Sequence, residues 1–203
     1  MGVVDKTGVR ALADKGEPLV LELGCGDRKR APQSIGIDVR DLPGVDLVGN
    51  AEDALRTLPD GCARLVTSSH FMEHVGDARC LLAEMARVVR PGGRVEITVP
   101  HFSNPYFYSD PTHERFYGLY TLSYWVHDPL LRRTVPHYEA PLPFTLRAAD
   151  LGFRSPKAFP IRRRLKRPVQ WLVNATRGTR EFYEENLCWL LPCYEIHFVL
   201  ERD

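Results

Sequence analysis

Seven histidines occur in this 203-residue chain, and three stand where the sequence pattern changes. His70 follows the apolar run Ala63 to Ser68 (ARLVTS). His101 comes directly after Arg94 to Val99 (RVEITV) and Pro100. His113 sits in Asp110-Pro111-Thr112-His113. A free imidazole titrates near pH 6.5, so each can take a proton at neutral pH. That suits transfer to a hydroxyl, whose proton must leave as the new bond forms. His101, His113 and His70 are therefore the candidate catalytic bases. An Asp/His cluster in this stretch could hold a divalent metal, but its spacing matches no strong metal motif, and no metal is expected. Glu73-His74 is expected to be structural, with Glu73 capping or orienting the loop after ARLVTS.

A second constellation lies nearer the N-terminus. Glu22-Leu23-Gly24-Cys25-Gly26 closes the apolar run Pro18 to Leu23. Glycines at such a turn let the backbone approach a ligand closely. The next apolar run, Ser34 to Val39 (SIGIDV), carries Asp38, whose carboxylate can accept hydrogen bonds from both hydroxyls of a ribose. Dinucleotide-binding proteins share this arrangement, yet two details disfavour NAD. The GxGxxG fingerprint needs a third glycine where Lys29 stands, and its acid comes about 20 residues further on. Here 12 steps separate Gly26 from Asp38. There is no GxxxxGK[ST], which excludes a P-loop.

These groups need a scaffold. Pro18–Leu23, Ser34–Val39, Val45–Val48, Ala63–Ser68 and Arg94–Val99 read as strands. Asp77 to Val89 reads as a helix, because Leu81, Leu82, Met85, Val88 and Val89 share one face. Pro91-Gly92-Gly93 is expected to end it. Strands alternating with helices or long connections imply a mostly parallel sheet. Thr145–Leu151 is expected as a short helix, Lys157–Ile161 as a strand, Arg167–Leu191 as largely helical, and Tyr194–Glu201 as the last strand. Asp110-Pro111 also makes a good helix start. In that helix His113, Phe116, Tyr117, Tyr120 and Tyr124 fall on one side, which suits a core stripe as well as a pocket.

Taken in order, LELGCG, GIDV, GNAEDAL, SSHFMEHV and LLAEMARVVRPGGRVEITVP resemble the class I, Rossmann-like S-adenosylmethionine-dependent methyltransferases. Order and spacing match from roughly Pro18 to Pro100. The resemblance implies an α/β fold: one domain over 1–203, with a mostly parallel seven-stranded sheet flanked by helices. It also implies a final antiparallel hairpin and S-adenosylmethionine as cofactor. Residues 101–143 would be a substrate-side insertion after strand five. Glu22, Gly24, Cys25 and Gly26 would hold the methionine end of the cofactor, and Asp38 with Val39 the ribose. Asn50, Ala51 and Glu52 would lie by the adenine, and Ser69 and His70 would close over it. Where Asn50 stands the family commonly has Asp.

The stretch PHFSNPYFYSDPTHERFYG resembles a substrate-side segment in a group of bacterial methyltransferases. It makes Tyr106, Tyr108, Asp110 and Tyr117 the candidate acceptor contacts. Amino methylation typically uses (Asn/Asp)-Pro-Pro-(Tyr/Phe) after strand four, where this chain has Ser68-Ser69-His70-Phe71. A hydroxyl acceptor of a sugar or glycan is therefore expected, with a small-molecule phenol, acid or amine as the alternative. An NAD-type oxidoreductase and a non-catalytic activator subunit are remoter readings.

Composition bounds the rest. Lys and Arg total 27 against 26 acids, a net charge of +1, which argues against a dedicated nucleic-acid or membrane binder. No long apolar run marks a leader or a membrane-inserted span. Five cysteines without CxxC or zinc spacing suit reduced thiols and a cytoplasmic enzyme. The run Arg162-Arg163-Arg164-Leu165-Lys166-Arg167 opens a C-terminal helical segment (162–191). It is either a solvated face or a landing site for an anionic acceptor or membrane surface. Trp171, Phe182, Tyr183 and Trp189 beyond it would roof the site or form a homodimer face.

Overall fold

The computed structural model describes residues 2–155 and 158–203. They build one nine-stranded sheet in the order β1-β4-β3-β2-β5-β6-β9-β8-β7. The strands are β1 (Val4–Asp5), β2 (Leu19–Leu23), β3 (Ile35–Asp38), β4 (Leu47–Val48), β5 (Ala63–Ser69), β6 (Val89–Pro100), β7 (Val126–His127), β8 (Leu142–Gly152) and β9 (Glu195–Arg202). Neighbours from β4 through β3, β2 and β5 to β6 run parallel. β9 is antiparallel to both β6 and β8. The sheet thus has nine strands where seven were expected. The two additional ones, β1 and β7, are two-residue edge pairings.

Near-continuous apolar runs explain the central strands, since a parallel sheet is covered on its faces. Leu21, Leu23, Ile37, Leu47, Val66, Val95 and Ile97 are buried together. Helices α1 (Val9–Ala13), α2 (Ala51–Arg56) and α3 (Ala78–Val88) contribute Val9, Ala54, Leu55, Leu81, Leu82 and Met85 to that core. Asn50 starts α2 by accepting from the Glu52 and Asp53 amides, and Asp77 starts α3 by accepting from that of Cys80. α3 ends one residue before its expected end, at Val88. The chain is already extended at Val89, so Pro91-Gly92-Gly93 lies in the irregular start of β6 rather than at the helix end.

The later half corrects several expectations. Thr145–Leu151 is strand, not helix: TLRAADL is rich in helix formers, but β8 is flanked by β9 and β7, and tertiary pairing overrides propensity. The expected strand at Lys157–Ile161 is not formed in its described part. Pro160 opens helix α4 (Pro160–Val173) at a position where proline loses nothing, and Lys157 lies outside the described residues. A second helix, α5 (Arg177–Asn186), begins at the Thr176 capping box. No helix follows Asp110. Its carboxylate accepts from Thr112 N and Oγ1 in a tight turn, and from there to residue 121 the chain is irregular, with turns and one bridge from Tyr117 to His101. Only two 3-10 turns, Phe107–Ser109 and Leu122–Tyr124, occur between β6 and β7. His113, Phe116, Tyr117, Tyr120 and Tyr124 therefore share no helical face.

Candidate active site

β2 leads rightward in the sheet to β5 but leftward, through the chain, to β3. In open α/β sheets ligands bind outside the carboxyl ends of strands at such a reversal. Gly24 leaves β2 there with φ +65°, and Gly26 follows with φ +61°. A side chain at Gly24 would stand 2.6 Å from the Phe71 ring, so the turn must stay bare. Gly26 N donates to Asp38 Oδ2 at 2.9 Å, and Arg40 N to Asp38 Oδ1 at 2.9 Å. Asp38 thus ties the end of β3 to the glycine turn. Glu22 braces the next loop, accepting from Arg30 N and from Ser34 Oγ.

A cavity of about 330 Å³ opens beside this turn, lined by Glu22, Gly24, Cys25, Arg30, Ser68, Ser69 and other residues of β2, β5 and β6. Ser68 Oγ and Ser69 Oγ are buried with no hydrogen-bond partner. Buried hydroxyls are normally paired, so these orphans fit a polar ligand in the cavity. Burial, together with Asp38 and Glu22, pushes the Cys25 thiol up to about 11, which keeps it an unreactive wall. Asp38, Val39, Asn50, Ala51 and Glu52 are not part of the lining. Val39 is exposed, Asn50 is spent on the start of α2, and Glu52 pairs with Arg56.

His70 leaves β5 with φ +51°, a conformation that non-glycine residues seldom adopt. Its Nε2 lies 3.2 Å from Glu195 Oε2 and its Nδ1 3.5 Å from Glu73 Oε1. Glu195, and then Glu73, push its pKa up to about 9. His70 is therefore protonated at neutral pH, a donor and a positive charge rather than the expected base. Glu195 stands on β9, 125 residues away, and nothing in the local sequence pointed to it.

His101 is also displaced from its expected role, because it is fully buried. Ser103 N donates to its Nδ1 at 3.0 Å, which puts the ring proton on Nε2, facing Glu184 Oε2 at 3.1 Å. Both nitrogens are engaged, and Phe102 packs on the ring at 4.2 Å. Tyr117, expected to meet the acceptor, is likewise buried, and its hydroxyl donates to Met72 O.

His113 differs. Its Nδ1 donates to Phe107 O at 2.9 Å, which leaves Nε2 without a hydrogen-bond partner. Phe107 packs on its ring at 4.6 Å and also meets Tyr108 and Phe116, which are more than half exposed, whereas Tyr106, an expected acceptor contact, meets Tyr194 instead. Asp110 Oδ2 lies 3.7 Å from Nε2. The 110–117 segment is stitched to the 3-10 turn Met72–His74 after β5. Glu114 N and Arg115 N donate to Glu73 O, and Arg115 Nε donates to Val75 O. That stitching brings His74 within 4.8 Å of His113, ring to ring. Glu73-His74 is thus beside the candidate base as well as in the loop it was expected to shape.

The basic run lies on α4. Arg163 and Arg167, with Arg154, Trp171 and Asp150, line an open cleft of about 560 Å³ against the end of β8. Among the described residues no helix is long and apolar enough to cross a membrane.

Residues 27–97, just over a third of the chain, match the family described as "Methyltransferase domain". The match supports a methyltransferase domain that uses S-adenosylmethionine as cofactor. No curated protein matches the chain. Among solved structures, a SAM-dependent methyltransferase from Archaeoglobus fulgidus is 18% identical, with 98% of this chain and 95% of that one covered and a TM-score of 0.57. The YcgJ protein of Bacillus subtilis is 18% identical, with coverages of 95% and 97% and a TM-score of 0.51. A Haemonchus contortus phosphoethanolamine N-methyltransferase, in complex with phosphomonomethylethanolamine and S-adenosylhomocysteine, is 14% identical. There 92% of this chain covers 49% of the other, with a TM-score of 0.54. At these identities the likeness speaks for the fold.

Proposed function

We propose that this methyltransferase passes its methyl group to a hydroxyl, and that the acceptor is a sugar or glycan. The observation that carries this reading is the exposed aromatic surface of Tyr108 and Phe116, joined through Phe107 to the ring of His113, whose Nε2 makes no hydrogen bond. Flat aromatic faces suit the C–H faces of a sugar ring, and an imidazole lone pair suits a proton that must leave a hydroxyl. S-adenosylmethionine supplies an electrophilic sulfonium methyl when bound. The chain's own part is to bind, align and accept a proton.

In this reading Gly24 and Gly26 give the cofactor close backbone contact, with Ser68 and Ser69 supplying hydroxyls to its polar groups. Asp38 is the ribose ligand, one carboxylate oxygen bridging to Gly26 N. His70, positively charged between Glu195 and Glu73, holds the loop that closes over the cofactor. His113 takes the acceptor proton, while His101 has no part in the reaction. A second reading, a small anionic acceptor, is favoured by the cleft of Arg154, Arg163, Arg167 and Trp171. A screen of cofactor-dependent methyl transfer over sugars, glycans, phenols, acids and amines tests both. Methylation of glycan hydroxyls is expected, and turnover confined to acids or amines would contradict it.

A further inference from the structure

Glu73, His74 and His113 each present a donor atom within 4.8 Å of the other two. We infer that these three side chains form a binding site for one divalent transition-metal ion at the carboxyl end of β5. Hydrogen bonding around the cluster supports this independently of the spacing. His113 Nδ1 donates to Phe107 O, and His74 Nδ1 lies 3.2 Å from Thr112 O, a carbonyl to which it can only donate. Nδ1 is thus the donor in both rings, which leaves Nε2 of each as the nitrogen available to a metal. A metal-bound histidine is held in this way, its second nitrogen donating to a backbone carbonyl.

The third ligand has its own signal. Glu73 is 1% exposed, and its Oε2 has no hydrogen-bond partner. A buried carboxylate oxygen without a partner is costly, and a cation between it and the two imidazoles removes that cost. Two imidazoles and a carboxylate suit zinc, iron(II), cobalt(II) or manganese(II) better than calcium or magnesium, which prefer oxygen alone. Tetrahedral zinc with bonds near 2.0–2.1 Å separates its ligand atoms by roughly 3.3 Å. The three donors then need to close by up to about 1.5 Å, within reach of side-chain rotations. Three protein ligands leave the fourth position for water or an acceptor oxygen, as in catalytic zinc sites.

The place of the site fixes its use. Glu73 Oε1 lies 3.5 Å from His70 Nδ1, and Phe107, which packs on His113, also packs on Tyr108 and Phe116. An acceptor hydroxyl on the ion would lose its proton more readily, since a bound cation lowers the pKa of a ligated oxygen. With the ion bound, His113 Nε2 would be a ligand rather than the base, and the ion, not His113, would promote loss of the acceptor proton. This role rests on the hydroxyl-acceptor reading above, whereas binding of the ion does not.

The test is zinc content and affinity in the full chain, stripped with chelator, reloaded with zinc and dialysed. One zinc per chain is expected by elemental analysis. In correctly folded His113→Ala and Glu73→Gln, judged by circular dichroism, zinc should bind at least about tenfold more weakly. Less than a tenth of an equivalent in the wild type, or unchanged affinity in both variants, would overturn the site. Cobalt(II) loaded into the wild-type chain decides the matter even where a variant fails to fold. Visible d–d bands without thiolate charge transfer are expected. No such bands, or a strong thiolate band from a cysteine site, would contradict the assignment. Zinc binding without methyl transfer would leave the site standing and count against the proposed activity alone.

Discussion

His101 and His113 flank one segment at the same end of the sheet, yet their surroundings are opposite. His101 has Ser103 N on one nitrogen and Glu184 on the other, with Phe102 over its ring and no exposed surface. His113 has one nitrogen fixed by Phe107 O, while the other makes no hydrogen bond and faces Asp110 Oδ2 at 3.7 Å. Position at a strand end therefore does not make a base. The inventory of partners on each nitrogen does, and that inventory comes from residues distant in sequence.

The largest expected effect separates the two niches. His113→Ala should lower turnover by about 10²–10⁴-fold, the usual worth of a general acid–base group, with cofactor affinity nearly unchanged. Steady-state rates together with calorimetric cofactor binding check this, and full activity in a folded variant would erase the distinction. His101→Ala should act on stability instead. It strips Glu184 of its ring partner in a buried niche, at a cost of about 3 kcal/mol. For a domain of this size that is roughly 6–12 °C in melting temperature. If the variant melts with the wild type but loses turnover, the assignment of the two histidines is reversed.

A smaller effect belongs to Asp38. Asp38→Ala should weaken cofactor binding, since each hydrogen bond to a charged acceptor contributes about 1.5–3 kcal/mol. It should also loosen the Gly26 turn that Asp38 now holds. An unchanged dissociation constant would remove Asp38 as the ribose ligand. The smallest concerns α4: replacing Arg162, Arg163 and Arg164 together by alanine should leave cofactor affinity as it is. If the acceptor is anionic, its KM should rise and lose salt dependence. Identical acceptor kinetics at low and high salt in both proteins would make the run a solvated face.

The first half of the molecule was legible in the sequence because its signals are local. The apolar runs of β2, β3 and β5, the Asp77 cap of α3 and the Gly24 turn each depend on neighbours in the chain. The second half depends on distant pairing. Leu146 and Ala149 sit in helix-forming company, yet face Leu200 and Phe198 across a strand ladder. Asp110-Pro111 has the residues of a helix start, but Thr112 occupies the carboxylate and the chain turns away. The site divides in the same way. Gly24 and Gly26 stand at the turn after the first apolar run, and Gly26 N donates to Asp38, while Glu195, Glu184 and the Glu73–His74–His113 cluster are assembled by the fold. In the sequence Glu73-His74 reads as structural, and nothing there joins it to His113.

The central claim is that this sheet, through the Gly24–Gly26 turn and Asp38, holds S-adenosylmethionine. Calorimetric titration of the full chain with S-adenosylmethionine, S-adenosylhomocysteine and NAD tests it most directly. The first two should bind at one site per chain with micromolar affinity, and NAD should give no signal. Binding of NAD without binding of S-adenosylmethionine would contradict the account.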